Sequence, residues 1–244
     1  MVHVFLNLLL SFGAVFITVL SGNPAIGILL VLVSKWRIFT VRWRYLAVNL
    51  KSNLVDLIVG ISIVLLTYYS GTEIVLADFI LAAVYAIWLL FIKPLTSESA
   101  NLVQSSVAVF LGISAAVFLT SEVDAIVLVI LAFLIGYAAS RHILAQAKDK
   151  EFSLTTMICG LIFAEIAWLL NSWSIIYTYD AVGLRIPQLA FVLTIFTFIY
   201  NYVRQAVMTY GNEFRFKSVL APVLYAFALI AIIVIFFSEP IFNI

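Results

Sequence analysis

The chain has 244 residues, 65% of them hydrophobic and 10% charged, with a formal net charge of +1 and a mean hydropathy of +1.20. Soluble domains carry about 25% charged residues, so these values exclude an ordinary soluble domain, and the near-zero net charge speaks against a nucleic-acid partner. They predict an all-α polytopic transmembrane bundle in the cell membrane, with residues 1–244 as a single membrane-embedded domain.

In chain order, hydrophobic segments run at 2–20, 23–35, 52–70, 74–92, 101–120, 123–140, 153–171, 187–209 and 218–237. Each is near or somewhat below the ~20 residues that cross a bilayer. This reading gives about nine spans, or eight if the first two merge. No basic residue opens the first segment, so it reads as a span rather than a cleaved signal. The second begins at Asn23-Pro24, an N-cap followed by proline at the first helical position. Its apolar part is short, so it must continue past Lys35 or insert only halfway.

Under this threading Lys35, Arg37, Arg42, Arg44, Lys51, Lys93, Arg141, Lys148, Lys150, Arg204, Arg215 and Lys217 share one side, and Arg185 alone lies on the other. The positive-inside rule makes the rich side cytoplasmic, together with the N-terminus. Tyr68, Tyr69, Trp168, Trp173, Tyr177 and Tyr179 mark an outer aromatic belt, and Trp36, Trp43, Trp88 and Tyr210 an inner one. The aromatic outer loop 172–186 is expected to lie on the membrane surface.

Residues 35–51 form a basic amphipathic segment. At helical spacing Trp36, Phe39, Trp43, Leu46, Ala47 and Leu50 share a face, with Arg37, Arg44 and Lys51 to one side and Arg42 to the other. This predicts a helix in the inner headgroup layer, with Trp36, Arg37, Arg42, Trp43 and Arg44 contacting lipid and anionic headgroups as partners.

Small residues recur every fourth position in the fifth segment (Ala108, Gly112, Ala116) and the sixth (Ala132, Gly136, Ser140). Helices in lipid associate through close backbone approach. The short turn between these segments therefore predicts a hairpin packed through both stripes.

Asp56, Asp78 and Glu165 fall within predicted spans. An uncompensated charge at the bilayer centre costs roughly 2.5–3.5 kcal/mol on insertion scales, so such groups are expected to face the bundle interior. Asp56 and Asp78 lie near helix starts, where an acid complements the dipole. Asn53 is a candidate cap for the Asp56 helix, and Arg204 its candidate ion-pair partner. Glu165 lies only about 4.5 Å beyond the centre of its segment at 1.5 Å per residue, with no Lys or Arg expected at that depth. It must be protonated, hydrogen-bonded or facing a hydrated cavity. Two readings stay open: a coupling group for protons or cations, or a neutral carboxyl joining two helices. Asn53, Asp56, Gln104, Ser105, Asn201, Arg204 and Gln205 complete a polar layer near the inner boundary, either a vestibule or a set of interhelical hydrogen bonds.

The only histidines are His3 and His142 and the only cysteine is Cys159, so no metal or cofactor is expected. Asp149 and Glu151 read as a solvated loop, and no nucleophile elbow or phosphate loop appears. These absences argue against an enzyme. The preferred reading is a small transporter or lipid-handling carrier, with Glu165, Asp56 and Arg204 as candidate intramembrane functional residues. The alternative is a non-catalytic subunit or scaffold with a membrane-protein partner or a second copy of itself.

Overall fold

The computed structural model describes residues 2–71, 73–121, 123–145, 152–173, 175–211 and 217–236. The expected solvated loop at Lys148 to Glu151, and Arg215, lie outside them. The described residues form ten α-helices and one β-hairpin. The helices are α1 (Val2–Ser21), α2 (Pro24–Ser34), α3 (Trp43–Ser52), α4 (Leu54–Ser70), α5 (Leu76–Ile87), α6 (Glu98–Leu119), α7 (Ala125–Leu144), α8 (Phe152–Asn171), α9 (Gln188–Tyr210) and α10 (Lys217–Phe236).

Five of these, α1, α6, α7, α8 and α9, are long and apolar enough to cross a membrane, or six if α3 and α4, bent by 66°, make one span. Nine spans are not supported. The α2 helix has 11 residues, about 16 Å at 1.5 Å per residue, or half a bilayer core. The α5 and α10 segments are also shorter apolar helices. A short helix inside a bundle is as apolar as a full crossing, so composition does not separate the two.

Local chemistry starts several helices. Asn23 Oδ1 accepts from Ala25 N at 2.9 Å ahead of Pro24, Ser97 Oγ from Ala100 N at 3.1 Å, and Asp124 Oδ1 from Ile126 N at 3.0 Å. Fully buried Asp78 accepts from Val75 N at 3.0 Å and from Ser70 Oγ at 2.8 Å, joining the end of α4 to the start of α5. Asn53 occupies the N-cap position of α4, but its side chain donates back to Asn49 O.

The most buried of the long helices, α6, packs against α4, α7 and α9. One hydrophobic cluster lies on its α1, α2, α4 and α5 side, and a second on its α7, α8 and α9 side. All six small-stripe residues are buried, and Ala116 of one stripe shares a hydrophobic cluster with Ala132 of the other. A side chain at Gly112 would meet Ile58 of α4 and Ile135 of α7. One at Gly136 would meet the Phe163 ring of α8, and Ser140 Oγ points at Thr156 O of α8. The α7 stripe therefore serves α8, because Phe163 fills the notch that Gly136 leaves.

A similar device joins α2 to α4. A Cβ on Gly27 would stand 2.8 Å from Val64 Cγ1, and one on Gly60 would stand 2.7 Å from Val31 Cγ1. The two helices run antiparallel, so each four-residue step along one meets a four-residue step back along the other. Gly27 faces Val64, Val31 faces Gly60, and the next rung is Lys35 with Asp56.

The loop expected on the membrane surface forms a hairpin of β1 (Ile176–Tyr179) and β2 (Leu184–Pro187), with Tyr177 opposite Ile186. Gly183 takes a positive φ of 73° in its turn. Val182 O accepts from Ala77 N at 2.9 Å, so the hairpin sits on the start of α5. Together they border an apolar cavity of about 140 Å³ that includes Leu66, Phe110, Phe118 and Ile186.

Candidate functional site: a buried ion cluster beside a basic cleft

At the end of the bundle opposite the hairpin, Asp56 joins three elements. Its Oδ2 lies 2.5 Å from Lys35 Nζ and 2.8 Å from Lys93 Nζ, and its Oδ1 accepts from Trp88 Nε1 at 3.0 Å. Lys35 Nζ also donates to the Asp56 carbonyl at 3.1 Å. The side chains of Lys35 and Asp56 are only 5% and 11% exposed, whereas Lys93 is 44% exposed. The buried Tyr85 hydroxyl faces the same region, beside Gly60.

A change of helix type brings Trp88 and Lys93 to one carboxylate. Residues five apart on an α-helix point about 140° away from each other at 100° per residue. Over Trp88–Ile92 the chain instead forms a π-helical turn, in which Lys93 N donates to Trp88 O at 2.8 Å. This i→i+5 closure brings the two side chains nearer to one face, and such turns recur at functional sites.

Gln104 of α6 holds that turn in place. Its amide donates to the carbonyls of Ile92 at 2.7 Å and Leu95 at 3.0 Å, which a helix end leaves open. Its Oε1 lies 2.6 Å from His142 Nε2 of α7. Asn101 Nδ2 donates to His142 O at 3.3 Å and Ser105 Oγ to Ala139 O at 3.0 Å. This part of the polar layer consists of interhelical hydrogen bonds.

Beside the cluster opens a cleft of about 460 Å³ whose lining includes Lys51, Lys93, Arg141, His142, Asn101 and Thr96. Among the described residues that line it there is no Asp or Glu. The Asp56 cluster has two ammonium groups and one carboxylate, so it carries an uncompensated positive charge. Lys93, its exposed member, also lines the cleft.

Other expected residues fall elsewhere. Asp56 pairs with Lys35 and Lys93 rather than Arg204. The α6 helix packs against both α4 and α9, and Arg204 Nε is buried with no hydrogen-bond partner among the described residues. Asn201 is buried and Gln205 exposed on α9. Glu165 does not face the interior but lies on the exposed side of α8, because the buried side of that helix is taken by Cys159, Phe163 and Ala167. The segment 35–51 is not one helix. A single 3-10 turn, Trp36–Ile38, precedes α3, and Asn49 Nδ2 ties the two by donating to Ile38 O at 2.8 Å. Trp36, Arg37, Arg42 and Arg44 are exposed there, with the Arg44 guanidinium 4.6 Å from the Tyr45 ring centre. Trp43 opens α3.

Lys35, placed by its charge with the basic groups of one membrane side, is buried. The available signal was its spacing: Lys35 continues Gly27 and Val31 in four-residue steps, as Asp56 does for Gly60 and Val64. Against known protein families, characterised proteins and solved structures, the chain matches none.

Proposed function

We propose that this chain is a lipid-handling membrane protein whose basic end binds the phosphate of an anionic headgroup. The observation that carries this reading is the cleft lined by Lys51, Lys93, Arg141 and His142 beside a cluster with surplus positive charge. An anion there would lie close to Lys93 and offset the charge that Asp56 leaves unbalanced. Basic pockets between membrane helices suit lipid phosphates, and Asn101 and Thr96 add polar groups to the same wall. By the positive-inside rule this end faces the cytoplasm. The exposed Trp36, Arg37, Arg42 and Arg44 would then rest in the headgroup layer next to it. Glu165, on the outside of the bundle, has no part in this site.

Nanodiscs containing equal amounts of phosphatidylglycerol and phosphatidylcholine provide the test, with native mass spectrometry of the lipid that stays bound. Phosphatidylglycerol should be retained several-fold over phosphatidylcholine, and a Lys51→Gln/Arg141→Gln variant should lose that preference. Equal retention of both lipids, or a preference untouched by the double variant, would rule the site out. Movement of labelled phosphatidylglycerol between leaflets of proteoliposomes then separates a carrier, which accelerates it, from a protein that only holds the lipid.

A further inference from the structure

Between Leu154 and Leu169 the exposed positions of α8 are apolar except at one. Met157, Ile158, Leu161, Trp168 and Leu169 are exposed by 48 to 65% and recur at steps of three and four, so they form a single stripe. Glu165 lies in the middle of that stripe and is exposed with it. On a helix running Phe152–Asn171 it is about 9 Å short of the nearer end at 1.5 Å per residue. Its short side chain does not reach the headgroups from there, as a long Lys or Arg can. The opposite face of α8 is fully used against α7, where Phe163 covers Gly136 and Phe133 covers Gly160.

An acid among aliphatic side chains at this depth is costly against lipid and is normally matched by another polar group. Among the described residues no Lys or Arg lies at its depth. Arg204 lies six residues from the end of α9, but α8 ends and α9 begins at the hairpin, so Arg204 and Glu165 lie toward opposite ends of the bundle. The other described Lys and Arg residues lie at or near helix ends, before α4, or in the hairpin, and Lys35 and Lys93 are committed to Asp56. A second copy related by a two-fold through α8 would set Glu165 against Glu165. A head-to-tail copy would bring no base to the middle of the helix either.

We propose that the outer face of α8 docks a transmembrane helix of a different protein, one that places a Lys or Arg at the depth of Glu165. The aliphatic stripe and Trp168 would supply packing, and the carboxylate would select the partner and set its register. This interaction is independent of the headgroup site, which lies on other helices.

The test uses the full chain in phosphatidylcholine vesicles with synthetic Leu/Ala transmembrane helices bearing Lys, Gln or Leu at mid-length. Association is followed by energy transfer between dyes on the peptide and on the chain. The Lys helix should bind at least tenfold more tightly than the Leu helix, and Glu165→Gln should remove the difference. Glu165→Lys should shift the preference to a helix bearing Glu. Because Glu165 is exposed, these variants should keep the wild-type unfolding midpoint, and that midpoint is measured alongside. Equal binding of the Lys and Leu helices would overturn the proposal. A Gln helix binding as well as the Lys helix would also overturn it by showing simple hydrogen bonding. Glu165-dependent self-association of the chain would overturn it in favour of a second copy.

Discussion

Removing the carboxylate of Asp56 should do far more damage than removing either lysine. In Asp56→Asn, two ammonium groups remain that stood 2.5 and 2.8 Å from one oxygen, so they can be no farther apart than the sum of those distances. At an effective dielectric of about 20, that separation gives a repulsion of about 3 kcal/mol. Lys93 can swing toward solvent and relieve it, but Lys35, with 5% of its side chain exposed, cannot. Breaking a buried pair from one side typically costs about 3–5 kcal/mol, and we expect Asp56→Asn to fall in that range. Lys93→Met leaves a neutral Lys35–Asp56 pair and should cost no more than about 1 kcal/mol, as for a partly exposed bridge. Lys35→Met likewise leaves Asp56 paired with Lys93 and hydrogen-bonded to Trp88. The decisive variant is the double one, Asp56→Asn/Lys35→Met, which removes the stranded charge with its partner. It should be about 2 kcal/mol more stable than Asp56→Asn alone. Unfolding by SDS in mixed micelles, followed by tryptophan fluorescence, reads all four, with Trp88 reporting on the cluster directly. If the double variant is no better than Asp56→Asn, or Lys93→Met costs as much, the shared-carboxylate account is wrong.

Three further outcomes are expected in the same assay. Gly60→Leu would drive its Cβ into Val31 and the Tyr85 hydroxyl, costing about 1–3 kcal/mol as overpacking does; Gly13→Ala, with nothing nearer than 3.6 Å, serves as the neutral control. Gly136→Leu should cost a similar amount by lifting α8 off α7, and cysteine pairs placed across that interface should cross-link more slowly. Gln104→Leu removes the donor to the part-buried carbonyls of Ile92 and Leu95, which should cost about 1 kcal/mol in all. It should also lower phosphatidylglycerol retention, because the turn that carries Lys93 loosens; full retention would separate Gln104 from the cleft.

Composition and charge placement were enough to read the helical class and the gathering of basic residues at one end. They misjudged helix length, since hydropathy reports environment rather than extent: α2 is apolar both where it packs on α1 and α4 and where Ile26, Leu29 and Val33 face outward. The cap at Asn23 was legible because its chemistry is local, whereas Asp78 was read only as an acid near a helix start and its bond to Ser70 was not foreseen. The burial of Lys35 was not legible from its charge alone, and its four-residue spacing from Gly27 and Val31 was the signal. The π-helical turn at Trp88 had no legible signal, for it is a backbone choice stabilised by Asp56 and Gln104, both distant in sequence. The small-residue stripes are buried, but a stripe says that something approaches and not what. Phe163, a bulky residue unremarked in the sequence, is what answers Gly136. Glu165 was expected inside because the cost of exposing an acid was reckoned for an isolated chain.

The pairing of Lys35 with Asp56 also bears on how the protein enters its membrane. The two residues are 21 positions apart, so Lys35 leaves the ribosome before its counter-charge has been made. Until then α2 is a helix too short to cross and burdened with a charge at its end. The earlier α1 already offers α2 one packing face, but the Gly27–Val64, Val31–Gly60 and Lys35–Asp56 pairs form only once α4 stands beside it. Neutralisation of Lys35 by Asp56 therefore waits for a helix made later.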